Sequence, residues 1–140
     1  MATTTVTSIF GTPKTRAIQN TQAETISLGD TSSGIQQNMG TDAKVFNLPL
    51  ITVSKIGMSF TFRNIGADGN NTVTLSPNAA DAIHGTIANA AADSVAGGVV
   101  DKDLVNTKAT ANKGDWITIT AVALTEWYIT GGVGIWASEA

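Results

Sequence analysis

The most regular pattern along the chain is an alternation of apolar and polar side chains with period two, the signature of strands with one buried face. It is clearest at residues 57–64, where Met58, Phe60 and Phe62 alternate with Ser59, Thr61 and Arg63. That spacing predicts a strand whose Met/Phe side lines a core. The following run, Gly66-Ala67-Asp68-Gly69-Asn70-Asn71, is rich in residues that tolerate positive φ, and residues 72–76 resume with Val73 and Leu75 turned inward. The pair predicts a β-hairpin.

Upstream, Ile26 and Leu28 alternate with Thr25 and Ser27 and run into a turn-like stretch at 29–34. Val45, Phe46 and Leu48 then lead to Pro49, whose missing N–H suits a strand end or edge, and 50–55 reads as a continuation past that break. Residues 79–100 are ambiguous: the alanines would allow a short helix, whereas Gly85, Gly97 and Gly98 favour a surface loop with short strands, which is the reading adopted. Long excursions of this kind are frequent places for partner contacts.

The last third carries the densest strand signal. In 116–124, Ile117, Ile119, Ala121 and Ala123 share one face while Trp116, Thr118, Thr120 and Val122 share the other. Thr125-Glu126 reads as a tight turn into 127–130, and Gly131-Gly132 as a second turn into 133–137, giving a three-stranded meander. In all, seven to nine short strands and no helix are expected, which points to two packed sheets. A parallel β-solenoid would need a recurring period, and none is visible. Residues 1–22 are Thr-rich with isolated apolar anchors at Val6, Ile9, Phe10 and Ile18, so they read as an extended arm, either one that docks on a neighbour or a partly disordered tail, leaving 23–140 as one β-sandwich domain.

Composition narrows the function. Charged residues are 14% of the 140, against roughly 25% in an average domain, and the surface expected from this is Thr/Asn/Gly-rich and weakly charged, as suits one partly covered by neighbours. A net charge of −3 with scattered Lys and Arg argues against a nucleic-acid partner. The opening MATTTVTSIF lacks the basic and apolar regions of a signal peptide, and no apolar run approaches the roughly 20 residues of a membrane span, so neither export nor a membrane is expected.

Candidate chemistry is sparse. With no cysteine and a single histidine, His84, thiolate and zinc sites lack ligands, and nothing around His84 resembles a nucleophile elbow. Asp68, Asn70 and Asn71, or Asp101 and Asp103, could offer oxygen ligands to calcium, yet Asp-Gly-Asn-Asn is what a tight turn requires. No pair of the eleven acids stands out as a glycosidase couple, and Gly131-Gly132-Val133-Gly134 lacks the Lys-Ser/Thr of a phosphate loop. No enzyme activity, metal or cofactor is therefore expected. Trp116, Trp127, Tyr128 and Trp136 remain, close together in sequence. Trp127 shares a strand face with Ile129 and reads as core; Trp116 and Tyr128 lie opposite the Ile faces and read as contact residues, for a protein interface or a sugar.

Leu48-Pro49, residues 57–64, Val73-Thr74-Leu75-Ser76-Pro77, Ile83-His84-Gly85, Lys113-Gly114-Asp115-Trp116, Trp127-Tyr128-Ile129 and Gly134-Ile135-Trp136 together resemble the capsid decoration or cementing proteins of tailed bacteriophages. The resemblance spans roughly 48–137 and is one of pattern, without a catalytic motif. It implies an antiparallel jelly roll of two sheets, a homodimer or homotrimer, and a place on the outer capsid surface of a virion, where the protein bridges neighbouring major capsid subunits after synthesis in the bacterial host cytoplasm. Similar strands in tail fibres and spike tips imply a receptor- or carbohydrate-binding module as the alternative.

Overall fold

The structure is a computed structural model that describes residues 17–20, 25–42, 44–89 and 93–139. Twelve strands are present among these residues: β1 (Ala17–Asn20), β2 (Thr25–Ser27), β3 (Gln36–Met39), β4 (Lys44–Asn47), β5 (Ser59–Asn64), β6 (Val73–Ser76), β7 (Ala82–Ile87), β8 (Ser94–Val100), β9 (Leu104–Asn106), β10 (Trp116–Ala123), β11 (Glu126–Val133) and β12 (Ala137–Ser138). They exceed the expected seven to nine because the shortest have only two to four residues, too few to show a period.

A seven-stranded sheet ordered β1-β3-β5-β10-β11-β7-β8 packs on a five-stranded sheet ordered β12-β9-β6-β4-β2, and the all-β sandwich read from the sequence stands. The pairing within it differs from the antiparallel expectation. β1, β3 and β5 are parallel neighbours in one sheet, and β2, β4 and β6 are parallel neighbours in the other. The chain therefore alternates between sheets, climbing one rung per turn, as in a short two-sheet solenoid. β9 and β10 add a rung in the reverse sense, both antiparallel to the strands below, and β11 with β12 adds another. The β7–β8 hairpin completes the larger sheet, with β7 parallel to β11.

This arrangement corrects several expectations. β5 and β6 do not form a hairpin; they lie in opposite sheets. The reason is at residues 64–71, where side-chain amides bind the crossing chain. Asn64 Nδ2 donates to the Asn71 carbonyl at 3.3 Å and to Asn106 Oδ1 at 3.0 Å, while its Oδ1 accepts the Gly66 N–H at 3.0 Å. Asn106 Nδ2 in turn donates to Asp115 Oδ2 at 3.0 Å. All four side chains are buried, so each hydrogen bond is made away from water, where an unpaired amide is costly. Gly66 is a consequence: a Cβ there would overlap the Asn71 amide.

The three-stranded meander shrinks to its first hairpin. β10 and β11 pair through the two-residue loop Leu124-Thr125, with Thr125 at φ 63°, but Gly131-Gly132 stays within β11 opposite Thr118 and Ile117, and β12 belongs to the other sheet. Within 79–100, read as a loop with short strands, lie the paired strands β7 and β8, and Gly85, Gly97 and Gly98 sit within them, Gly98 at φ 70° beside an irregularity in pairing. Residues 53–55, read as strand, form a 3-10 turn. Residues 17–20 of the expected arm are strand β1, paired with β3.

The predicted strand faces were legible. Phe60, Phe62, Val73, Leu75, Ile117, Ile119 and Trp127 are all buried. Phe46 of the smaller sheet meets Phe62 of the larger at 4.9 Å between ring centroids, and Phe60 lies 5.7 Å from Trp127. The first pair ties the two sheets together and the second packs two strands of the larger sheet, each beyond what its buried area alone contributes.

Candidate functional site

Of the six contact residues expected from the sequence, Val6, Ile9 and Phe10 lie outside the described residues. Ile18 sits on β1 at the end of the stack and is 43% exposed. Trp116 and Tyr128 are half-buried on the outer face of the larger sheet, as the alternation requires. They do not touch: Trp116 is level with Val133 and Tyr128 with Thr120, so the two are separated by four residues of β10, about 13 Å.

Each aromatic is held by a neighbour. The Arg63 guanidinium, opposite Trp116 on β5, lies 5.9 Å from the indole centroid. The Tyr128 ring stacks on the His84 imidazole at 5.0 Å and 14°, and its hydroxyl donates to Glu126 Oε2 at 3.1 Å. That hydrogen bond, and the charge of Glu126 behind it, push the phenol above its ordinary pKa, because both disfavour the phenolate. Across β7, His84 lies over Gly98, where any Cβ would overlap the imidazole. Between the aromatics runs a ladder of hydroxyls: Thr61 to Thr118 at 2.8 Å, Thr120 to Thr130 at 3.2 Å and Thr120 to Ser59 at 3.2 Å. The result is a flat face whose hydroxyls largely satisfy one another.

A second surface was not foreseen. Leu50, Val53, Ile56, Val100, Val122 and Leu124 are exposed, Val53 by 74% and the others by 43–55%. Backbone hydrogen bonds place them at one end of the sandwich. Gly57 N–H reaches Ala121 O at 2.7 Å and Ala121 N–H reaches Met58 O at 2.9 Å, setting the 50–56 segment beside the β10–β11 turn. Ala82 N–H reaches Thr125 O at 2.8 Å, and Ala82 is opposite Val100. The available signal was misread: 50–55 looked like a continuing strand, whereas 53–55 form a 3-10 turn and leave Val53 exposed. Single exposed apolar residues are ordinary, whereas several brought to one end make a candidate contact surface.

A pocket of about 410 Å³ opens between β8 and β12, with Val95, Ile135 and Trp136 as apolar walls and Asn89 and Asp93 at its rim. Its polar groups are engaged: Asp93 Oδ1 accepts the Asn89 N–H at 3.3 Å, and Ser94 Oγ accepts the Trp136 N–H at 3.1 Å. The Asp68 carboxylate accepts the Lys113 N–H at 2.7 Å, tying the 66–71 run to the segment before β10. No group of three or more His, Asp or Glu able to hold a metal occurs among the described residues, and no helix among them is long and apolar enough to cross a membrane. No protein-family model matches the chain, and no curated protein matches it.

Proposed function

We propose that the chain is a structural virion protein that decorates and cements the outer surface of a phage capsid, bridging neighbouring major capsid subunits, and that it does so through the apolar end. The observation that supports this is the cluster of Leu50, Val53, Ile56, Val100, Val122 and Leu124, presented on short turns and strand ends anchored by backbone hydrogen bonds. A contact protein works by covering apolar area, and rigid turns lose little entropy when covered.

Fully burying an aliphatic side chain contributes about 1.5–3 kcal/mol, so completing the burial of six half-exposed ones contributes about 6 kcal/mol before the costs of association. That is weak for one site. A homodimer or homotrimer that engages several capsid subunits at once converts weak contacts into tight binding by effective concentration, and a ligand that binds only the assembled shell stabilises it by mass action.

The test is to add purified protein to capsids stripped of it and follow co-sedimentation and capsid melting. Binding with a raised melting temperature is expected, and Val53→Asp with Leu124→Asp should abolish both while the protein stays folded. Capsids that neither bind it nor melt higher would remove the proposal.

The outer face favours a second reading, a tail-fibre or spike module that binds receptor or carbohydrate. Trp116 and Tyr128 flank a neutral array of hydroxyls, the combination of stacking surface and hydrogen bonding that suits a glycan. Binding on a glycan array that Trp116→Ala or Tyr128→Ala eliminates would support it, and silence on such an array counts against it.

A further inference from the structure

The apolar end is built over a fully buried carboxylate. Asp81 Oδ2 accepts the Ile51 N–H at 3.1 Å. Oδ1 has no hydrogen-bond partner, and neither does the buried indole Nε1 of Trp127; the two groups interact without reaching hydrogen-bond geometry. They are the two buried side-chain polar atoms left without a partner among the described residues.

The backbone around Asp81 is equally committed. Its N–H donates to Asn78 O at 2.8 Å, its carbonyl accepts the Asp101 N–H at 3.0 Å, and the next N–H, of Ala82, donates to Thr125 O at 2.8 Å. Asp101 and Thr125, at φ 60° and 63°, are the two non-glycine residues with positive φ among those described. Such conformations persist only where the surroundings hold them. Asp81 thus ties the segment after β4 to the end of β8, and its neighbour Ala82 adds the β10–β11 turn, the three pieces that carry the exposed apolar side chains.

We infer that Asp81 is a latch for this end: its side chain holds the 50–56 segment closed through Ile51, and ionisation shifts the segment toward an open state in which the carboxylate is hydrated. The inference rests on the fold and does not depend on what the end contacts. A buried carboxylate without a cation keeps its charge at a solvation cost, and water admitted by release of Ile51 removes that cost. Burial accordingly raises the Asp81 pKa above 3.8, partly offset by the Ile51 N–H and the Trp127 indole. The titratable groups on the elements packed here are Lys55 after β4, Asp101, Lys102 and Asp103 after β8, Glu126 and Tyr128 on β11 and His84 on β7; all are at least partly exposed, and none is among the causes of the shift.

The direction follows from linkage. Below 3.8 Asp81 is protonated in both open and closed states, and the latch is at its tightest. As pH rises through the closed-state pKa the latch loosens, by about tenfold in the opening equilibrium for each unit separating the two pKa values. Mild acid closes this end and neutral pH loosens it.

The experiment is an NMR titration of the full chain with amide hydrogen exchange corrected for intrinsic rates. The Ile51 amide and the Trp127 indole N–H are expected to titrate together, with a midpoint above 3.8, and exchange across 50–56 should increase through it. Both responses should be flat in Asp81→Asn. Trp127→Phe removes a group that lowers the pKa, so it should raise the midpoint seen at Ile51, and it serves if Asp81→Asn does not fold. A wild-type midpoint at or below 3.8, a pH response that survives Asp81→Asn, or an unmoved midpoint in Trp127→Phe would overturn the latch.

Discussion

Replacing Asn64 by Ala tests why the chain crosses between sheets after β5 instead of folding back. The side chain contributes to four hydrogen bonds: from Nδ2 to the Asn71 carbonyl and Asn106 Oδ1, and to Oδ1 from the Gly66 N–H and Asn71 Nδ2. Asn71 Nδ2 keeps its bond to Met39 O at 3.4 Å, so the groups stranded are the Gly66 N–H, Asn106 Oδ1 and the Asn71 carbonyl. Each buried group left unpaired costs about 1–3 kcal/mol, and partial rescue by water brings the expected sum to about 3–5 kcal/mol. An unfolding entropy of about 2.1 cal/mol/K per residue over this length makes that a fall of roughly 10–17 °C in Tm. Urea unfolding followed by tryptophan fluorescence, with thermal unfolding followed by circular dichroism, measures both. Thr130→Ala on the outer face, which loses an exposed hydroxyl, should change stability by no more than about 0.5 kcal/mol and serves as the control. A loss below about 1 kcal/mol for Asn64→Ala, with an unchanged denaturant slope, would falsify the claim that this network holds the crossing.

Three further outcomes are expected. Phe62→Ala removes a fully buried ring that joins Phe46 across the sandwich and should cost about 3–5 kcal/mol in the same urea experiment. Gly66→Ala places a methyl on the Asn71 amide and should cost about 1–3 kcal/mol, where Ala at a permissive glycine would stabilise. Tyr128 is the sole tyrosine, so its ultraviolet titration reports it alone: the midpoint should lie above 10.0 and move down in Glu126→Gln. Because its folded pKa is raised, the stability Tyr128 contributes is complete below pH 10.0 and lost as pH rises through that midpoint; an unshifted wild-type midpoint would show that the Glu126 hydrogen bond is not formed.

The sequence by itself determined which side of β5, β6, β10 and β11 is buried. Alternation at 58–63 and 116–121 is a local consequence of the pleat, so Phe60, Phe62, Ile117 and Ile119 could be assigned inward, Trp127 to the core, and Trp116 and Tyr128 to the outer face without knowing a single neighbour. The partner of each strand was decided only by the tertiary structure. A strand that ends in a glycine- and asparagine-rich run can turn back or cross about 10 Å to the facing sheet, and the local pattern is the same. At 64–71 the choice depends on Asn106 and Asp115, some forty residues away, which receive and fix the crossing chain. The solenoid-like stack was hidden for a related reason: partners in one sheet, Ala17, Gln36 and Thr61, are 19 and 25 residues apart, and in the other sheet Thr25 and Val45 are 20 apart while Lys44 and Val73 are 29 apart, so no fixed period exists. The exposed apolar end was hidden likewise. Leu50, Val53 and Ile56 are apolar in any reading, and whether such residues fill a core or face solvent depends on a turn set by hydrogen bonds to Ala121 and Asp81, which only the assembled sheets bring within reach.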